Sequence, residues 1–222
     1  MFVSITDYLY ELKANWAVGF PEKKLLYTLA GTIASLVPLS LFLVPYLQFI
    51  EHRQGVVLND VLLDQFPITD FSNLIFSIIY TSACFMILYS LRSPWMLLRN
   101  MLIFIVLQYI RNICLYFVPL APPVGIVPLS DPVLEMVAYN QQPLLQDLFF
   151  SGHTATCVVF ALLTRNNPIL FSTFIMITVV MIFLLMIQHC HYSIDILGGI
   201  GFAVLAHQLV NRSWQKLNLP IR

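Results

Sequence analysis

The chain has 222 residues, of which 59% are hydrophobic and only 10% charged, and its acidic and basic side chains balance to a net charge of zero. An ordinary soluble domain carries about 25% charged residues, so a water-soluble globule of this size would lack polar surface. Zero net charge gives nucleic acid no reason to bind. The composition predicts an all-α, polytopic membrane protein with about six transmembrane helices in one bundle.

Residues 1–20 mix Asp7, Glu11 and Lys13 with Tyr8, Tyr10 and Trp16. They lack the basic start and apolar run of a signal peptide and read as an interfacial amphipathic segment. Residues 21–222 read as one six-helix transmembrane catalytic domain, without internal repeats. Apolar runs predict helices at Leu25–Ile50, Phe71–Leu91, Trp95–Val118, Phe149–Thr164, Pro168–Gln188 and Ser193–Asn211. Pro21-Glu22-Lys23-Lys24, Arg92-Ser93-Pro94 and Arg165-Asn166-Asn167-Pro168 punctuate them. Pro38 and Pro45 imply bends in the first helix, which a membrane bundle absorbs. The fourth helix is short, so it either starts earlier or sits deep in the bundle.

Two connections are long, Glu51–Asp70 and the proline-rich Pro119–Leu148, which contains Pro132 and Pro143. Both fall on one side of the membrane. Nine of the eleven basic residues fall on the other: Lys13, Lys23, Lys24, Arg92, Arg99, Arg165, Arg212, Lys216 and Arg222. The positive-inside rule then predicts a multi-pass protein with cytoplasmic termini and with both long loops on the non-cytoplasmic side.

Cys84, Cys114, Cys157 and Cys190 are scattered, with no CxxC pair, and read as buried free thiols. Ionisable residues inside membrane segments cost about 2.5–3.5 kcal/mol each, so each needs a reason. Here they are Arg111, His153, His191 and Asp195, with His189 beside them and His207 near the cytoplasmic end, read as interfacial. A lone histidine near an interface is ordinarily just a satisfied polar tip. The joint placement of residues from three segments at one depth points further, to a site on the non-cytoplasmic face.

His191 and Asp195 are four residues apart, so on a helical turn they share a face. A carboxylate on one imidazole nitrogen fixes the tautomer and leaves the other as a nucleophile. His153 is then available as the acid for a departing alkoxide. Backbone N–H groups at the fourth helix start, with the Ser151 hydroxyl, offer phosphate oxygens a seat, and Gly152 lets the backbone approach. His189 has no carboxylate four residues on, so His191 is the preferred nucleophile. Arg111 binds phosphate or else pairs with a helix carbonyl. His189, His191 and Asp195 lack the further ligands a metal needs, so no metal or cofactor is expected.

Phe150-Ser151-Gly152-His153-Thr154 and His191-Tyr192-Ser193-Ile194-Asp195 resemble two signature motifs of the sphingomyelin synthase family, which belongs with the type 2 phosphatidic acid phosphatases. Tyr109 to Tyr116 with Pro119-Leu120-Ala121-Pro122 resembles another motif, Asp147 fits as well, and Phe66-Pro67-Ile68-Thr69-Asp70 is more weakly similar to a fourth. The resemblance implies six transmembrane helices, a triad of His153, His191 and Asp195, and transfer of phosphocholine or phosphoethanolamine from a glycerophospholipid to ceramide or diacylglycerol through a phospho-histidine. The implied partners are the bilayer, a phospholipid donor and a lipid alcohol acceptor; a homo-oligomer is left open.

Lipid phosphatases of the superfamily place an Arg six residues before the nucleophilic His, where this chain has Leu185, and their Lys-x6-Arg-Pro element has no match. Arg111 remains as a buried cation. A zwitterionic phosphodiester needs fewer counter-charges than a dianionic monoester, and Tyr192 offers its ammonium an aromatic face. Head-group transfer is therefore the expected activity. A lipid phosphatase using the same triad with water, and a non-catalytic lipid-binding protein, are the alternatives.

Overall fold

In hydrocarbon a chain must satisfy its own backbone hydrogen bonds, so long apolar runs become helices. The computed structural model of the protein describes residues 10, 12–17, 22–129 and 144–220. Among these are α1 (Lys23–Glu51), α2 (Ser72–Ser90), α3 (Pro94–Phe117), α4 (Gly152–Thr164), α5 (Pro168–Ile187) and α6 (Ser193–Lys216). No strand occurs among the described residues, only an isolated parallel bridge between Val56 and Leu120. The protein is an all-α integral membrane protein. Five of its helices are long and apolar enough to cross a bilayer, and α4 is the shorter apolar one.

Local chemistry sets the boundaries. The Ser151 side chain accepts the Thr154 N–H at 3.3 Å, so α4 starts at Gly152 rather than at the expected Phe149. Its 13 residues rise only about 20 Å. Asn167 caps α5 through the Leu170 N–H at 3.2 Å, and Pro168 occupies the first turn. Helix α1 runs unbroken through Pro38 and Pro45.

Helix α4 forms the centre, packing chiefly on α5 and α6. Ala155, Cys157 and Val159 are fully buried, and Phe160 meets Phe174 of α5 and Phe104 of α3. The α4–α6 approach requires glycine: a Cβ on Gly199 would lie 2.8 Å from the Ser151 carbonyl oxygen. Helix α1 packs on α3, while Leu41 and Phe42 are exposed, as suits a lipid-facing surface. All four cysteines are free, but Cys84 is exposed and Cys114 only half-buried.

The bundle has two different ends. At one, Leu25, Trp95, Leu98 and Trp214 cluster, and Trp16 donates its indole N–H to the Leu91 carbonyl at 2.7 Å. His207, toward the same end, is buried, its Nε2 3.0 Å from the Asn211 amide nitrogen. Of the expected interfacial segment, residues 1–9, 11 and 18–20 lie outside the described residues.

At the other end both long connections fold together. Val56 donates to the Pro119 carbonyl and Ala121 to the Val56 carbonyl, each at 2.9 Å. Gly55 lies so close to the Leu120 backbone that a Cβ would collide with its carbonyl carbon. The Glu51 carboxylate accepts the Leu145 and Gln146 N–H groups at 3.0 and 2.9 Å. Residues 130–143 of the second connection, including Pro132 and Pro143, lie outside the described residues.

Candidate active site

The loop end gathers the ionisable residues. Helix α5 stops at Ile187, and the chain turns through His189 in a left-handed conformation, φ 53°. The His189 Nε2 then lies 3.1 Å from the Phe66 carbonyl, away from the cavity described below. Asp195 is the third residue of α6 and fully buried. Its Oδ2 accepts the Tyr192 N–H at 2.9 Å and lies 3.4 Å from the His191 Nδ1. The histidine–aspartate pair therefore forms around a helix start, because His191 precedes α6, and not along a helical face as expected. Hydrogen bonds at catalytic pairs are often this long before substrate binds. With Nδ1 turned to the carboxylate, Nε2 is the nitrogen left for the cavity that His191 lines.

One backbone contact brings the second histidine alongside: the Ser151 N–H donates to the Asp195 carbonyl at 3.0 Å. That bond fixes the α4 start on the α6 start. His153, in the first turn of α4, lines the same cavity with its ring edge-on to Phe76, centroids 5.6 Å apart. Ser151 itself is fully buried and its oxygen caps the helix, so it does not line the cavity as the expected phosphate seat would. Gly152 does line it; a Cβ there would meet the Arg111 Nε at 3.3 Å.

Arg111 pairs with backbone carbonyls, in the segment before α4 and not within a helix. Its Nε donates to the Phe150 carbonyl at 3.0 Å and one Nη to the Asp147 carbonyl at 3.3 Å. The other Nη lies 2.8 Å from the Asp147 carboxylate. The guanidinium thus clamps the segment before α4 to α3 while still facing the cavity. Asp147, expected to bind substrate, is its counter-charge.

Tyr192 goes elsewhere. Its ring is 1% exposed and packs with Leu63, Leu120 and Met186. Its hydroxyl accepts the Leu58 N–H at 3.2 Å and donates to the Ala121 carbonyl at 3.0 Å, so the aromatic face expected to meet an ammonium is buried between the loops.

The cavity holds about 350 Å³ and lies between α2, α3 and α4. Its lining joins Arg111, Asp147, His153 and His191 to Phe76, Ile79 and Tyr80 from α2 and Phe104, Leu107 and Gln108 from α3. Phe104 lies about 10 Å from Arg111 along the helix. Ionisable side chains beside an apolar wall could take a phosphate ester with a lipid tail. The sequence reading missed these wall residues, although Phe104, Leu107, Gln108 and Arg111 follow the spacing of one helical face. Among the described residues no group of three His, Cys, Asp or Glu side chains is placed to hold a metal ion.

Residues 146–212 match the family model described as PAP2 superfamily C-terminal, a stretch that contains Asp147, His153, His191 and Asp195. The matched stretch, under a third of the chain, is similar to the C-terminal part of that superfamily. Neither the curated proteins nor the solved structures yield a match to the chain.

Proposed function

We propose that the protein is a phospholipid head-group transferase of the sphingomyelin synthase type, moving phosphocholine or phosphoethanolamine from a glycerophospholipid to ceramide or diacylglycerol at the non-cytoplasmic face. The observation that carries this reading is the charge of the cavity. Among its described lining residues Arg111 is the sole Lys or Arg, and Asp147 pairs with it at 2.8 Å. Beyond the one proton on His153, a dianionic monoester would meet no surplus positive charge there. A zwitterionic diester, whose phosphate carries one negative charge beside its own ammonium, matches a nearly neutral rim.

The chemistry proceeds in two displacements. The His191 Nε2 attacks phosphorus, the bond to the diacylglycerol oxygen breaks, and protonated His153 gives that oxygen its proton. Asp195 stabilises the imidazolium that develops on His191. Neutral His153 next takes the proton of the acceptor hydroxyl as its oxygen attacks phosphorus. The P–N bond breaks, and both histidines return to their starting states. Water in place of the lipid alcohol would give hydrolysis, so the acceptor decides the outcome.

Reconstituted protein given head-group-labelled phosphatidylcholine, with and without ceramide or diacylglycerol, tests this. The expected result is labelled lipid product that needs the acceptor. Free phosphocholine released equally without acceptor, or phosphate released from phosphatidic acid in preference, would favour the hydrolase; lipid bound without turnover would favour the non-catalytic reading.

A further inference from the structure

A loop carboxylate outside the cavity reaches the segment that carries the histidine–aspartate pair. Asp60, in the Glu51–Asp70 connection, accepts four hydrogen bonds. Its Oδ2 takes the Ser193 N–H at 2.6 Å; its Oδ1 takes the Ser193 hydroxyl at 3.0 Å and the Leu62 and Leu63 N–H groups at 3.2 and 3.1 Å. Ser193 is the first residue of α6, whose N–H has no partner within its own helix. A carboxylate at that position also meets the positive end of the helix dipole. Burial works to raise the Asp60 pKa, but the bonds from Ser193, Leu63 and Leu62 outweigh it and hold the carboxyl below its ordinary value.

The contact lies between the two residues it can affect. Ser193 stands between His191 and Asp195, and neighbouring Tyr192 is pinned by Leu58 and Ala121. Asp195 in turn holds the Tyr192 N–H. Any shift of Ser193 would alter the His191–Asp195 spacing, already at the long limit of a hydrogen bond.

We propose that Asp60 is a positioning residue: by anchoring the first N–H and the hydroxyl of α6, it holds the Asp195 carboxylate on the His191 Nδ1 and so aims Nε2 into the cavity. Asp60 does not line the cavity, so its effect falls on turnover and not on substrate binding. The inference rests on the proposed role of His191 and Asp195.

The full chain in lipid nanodiscs, assayed for labelled diacylglycerol released from acyl-labelled phosphatidylcholine, counts transfer and hydrolysis alike. Asp60→Ala is expected to lower kcat on the order of 100-fold with KM unchanged, as a small misplacement of a reacting group can. Asp60→Asn keeps one acceptor oxygen for the Ser193 N–H and should recover part of the loss. Ser193→Ala keeps that N–H and should fall between Asp60→Ala and wild type. If Asp60→Ala does not fold, the other two variants carry the test. Wild-type kcat in the folded variants, or a raised KM at unchanged kcat, would overturn the positioning role, as would Asp60→Asn no better than a folded Asp60→Ala. His191→Ala, measured alongside, separates the two ideas. If it stays active, the reading of the site fails; if it is dead while the Asp60 and Ser193 variants are normal, only this inference fails.

Discussion

At the residue scale the site turns on how Arg111 is neutralised. A buried guanidinium in a membrane segment is costly alone and tolerable when its donors are met. Here the Phe150 and Asp147 carbonyls accept two of them and the Asp147 carboxylate supplies the counter-charge at 2.8 Å. Arg111→Ala should reduce turnover to background, and Arg111→Lys should retain little, because one ammonium cannot replace a planar fork with several donors. Asp147→Asn tests the charge argument itself. It uncovers the arginine, and a charged hydrogen bond contributes about 1.5–3 kcal/mol. The ratio of phosphatidic acid cleavage to phosphodiester turnover should therefore rise, on the order of tenfold. An unchanged ratio in folded protein would mean that rim charge does not select the substrate. His153, His191 and Asp195 were legible because polar side chains stand out in apolar sequence. Ser151 and Tyr192 were not, since a motif names a residue without saying where its side chain points; one became a helix cap and the other a strut between loops.

Among elements, α4 and α6 matter most, because their two starts carry His153 and Asp195. The sequence located α1 to α6 to within five residues at either end. The start of α4 differed because a serine cap outweighs the hydrophobicity of Phe149 and Phe150. The His191–Asp195 contact was legible as a spacing, but its geometry depended on where α6 begins. The α4–α6 seam yields a direct test. Gly199→Ala places a methyl group 2.8 Å from the Ser151 carbonyl oxygen, so the helices must part. Overpacking of this kind costs about 1–3 kcal/mol, and it should lower both Tm and turnover. Gly201→Ala is the control, since nothing lies within 4 Å of its Cβ position. Equal Tm for the two variants in nanodiscs would contradict the tight crossing.

For the whole molecule, composition and charge placement made the bundle and the grouping of its long loops legible. They could not reveal the cavity, which arises where α2, α3 and α4 leave space and is lined by apolar residues no different in type from those facing lipid. Nor could they reveal the ties from the first connection to α6, which join residues more than a hundred positions apart. The central claim is that His191 carries the head group on a face opposite the basic end. Sealed, right-side-out vesicles exposed to labelled nitrophenyl phosphocholine test both parts, because this zwitterionic donor does not cross the bilayer and its leaving group needs no proton. Acid-labile label should appear on His191 by mass spectrometry, persist in His153→Ala, and vanish in His191→Ala. Label appearing only after the vesicles are opened would reverse the orientation alone. Label on His189, or label undiminished in His191→Ala, would contradict the account.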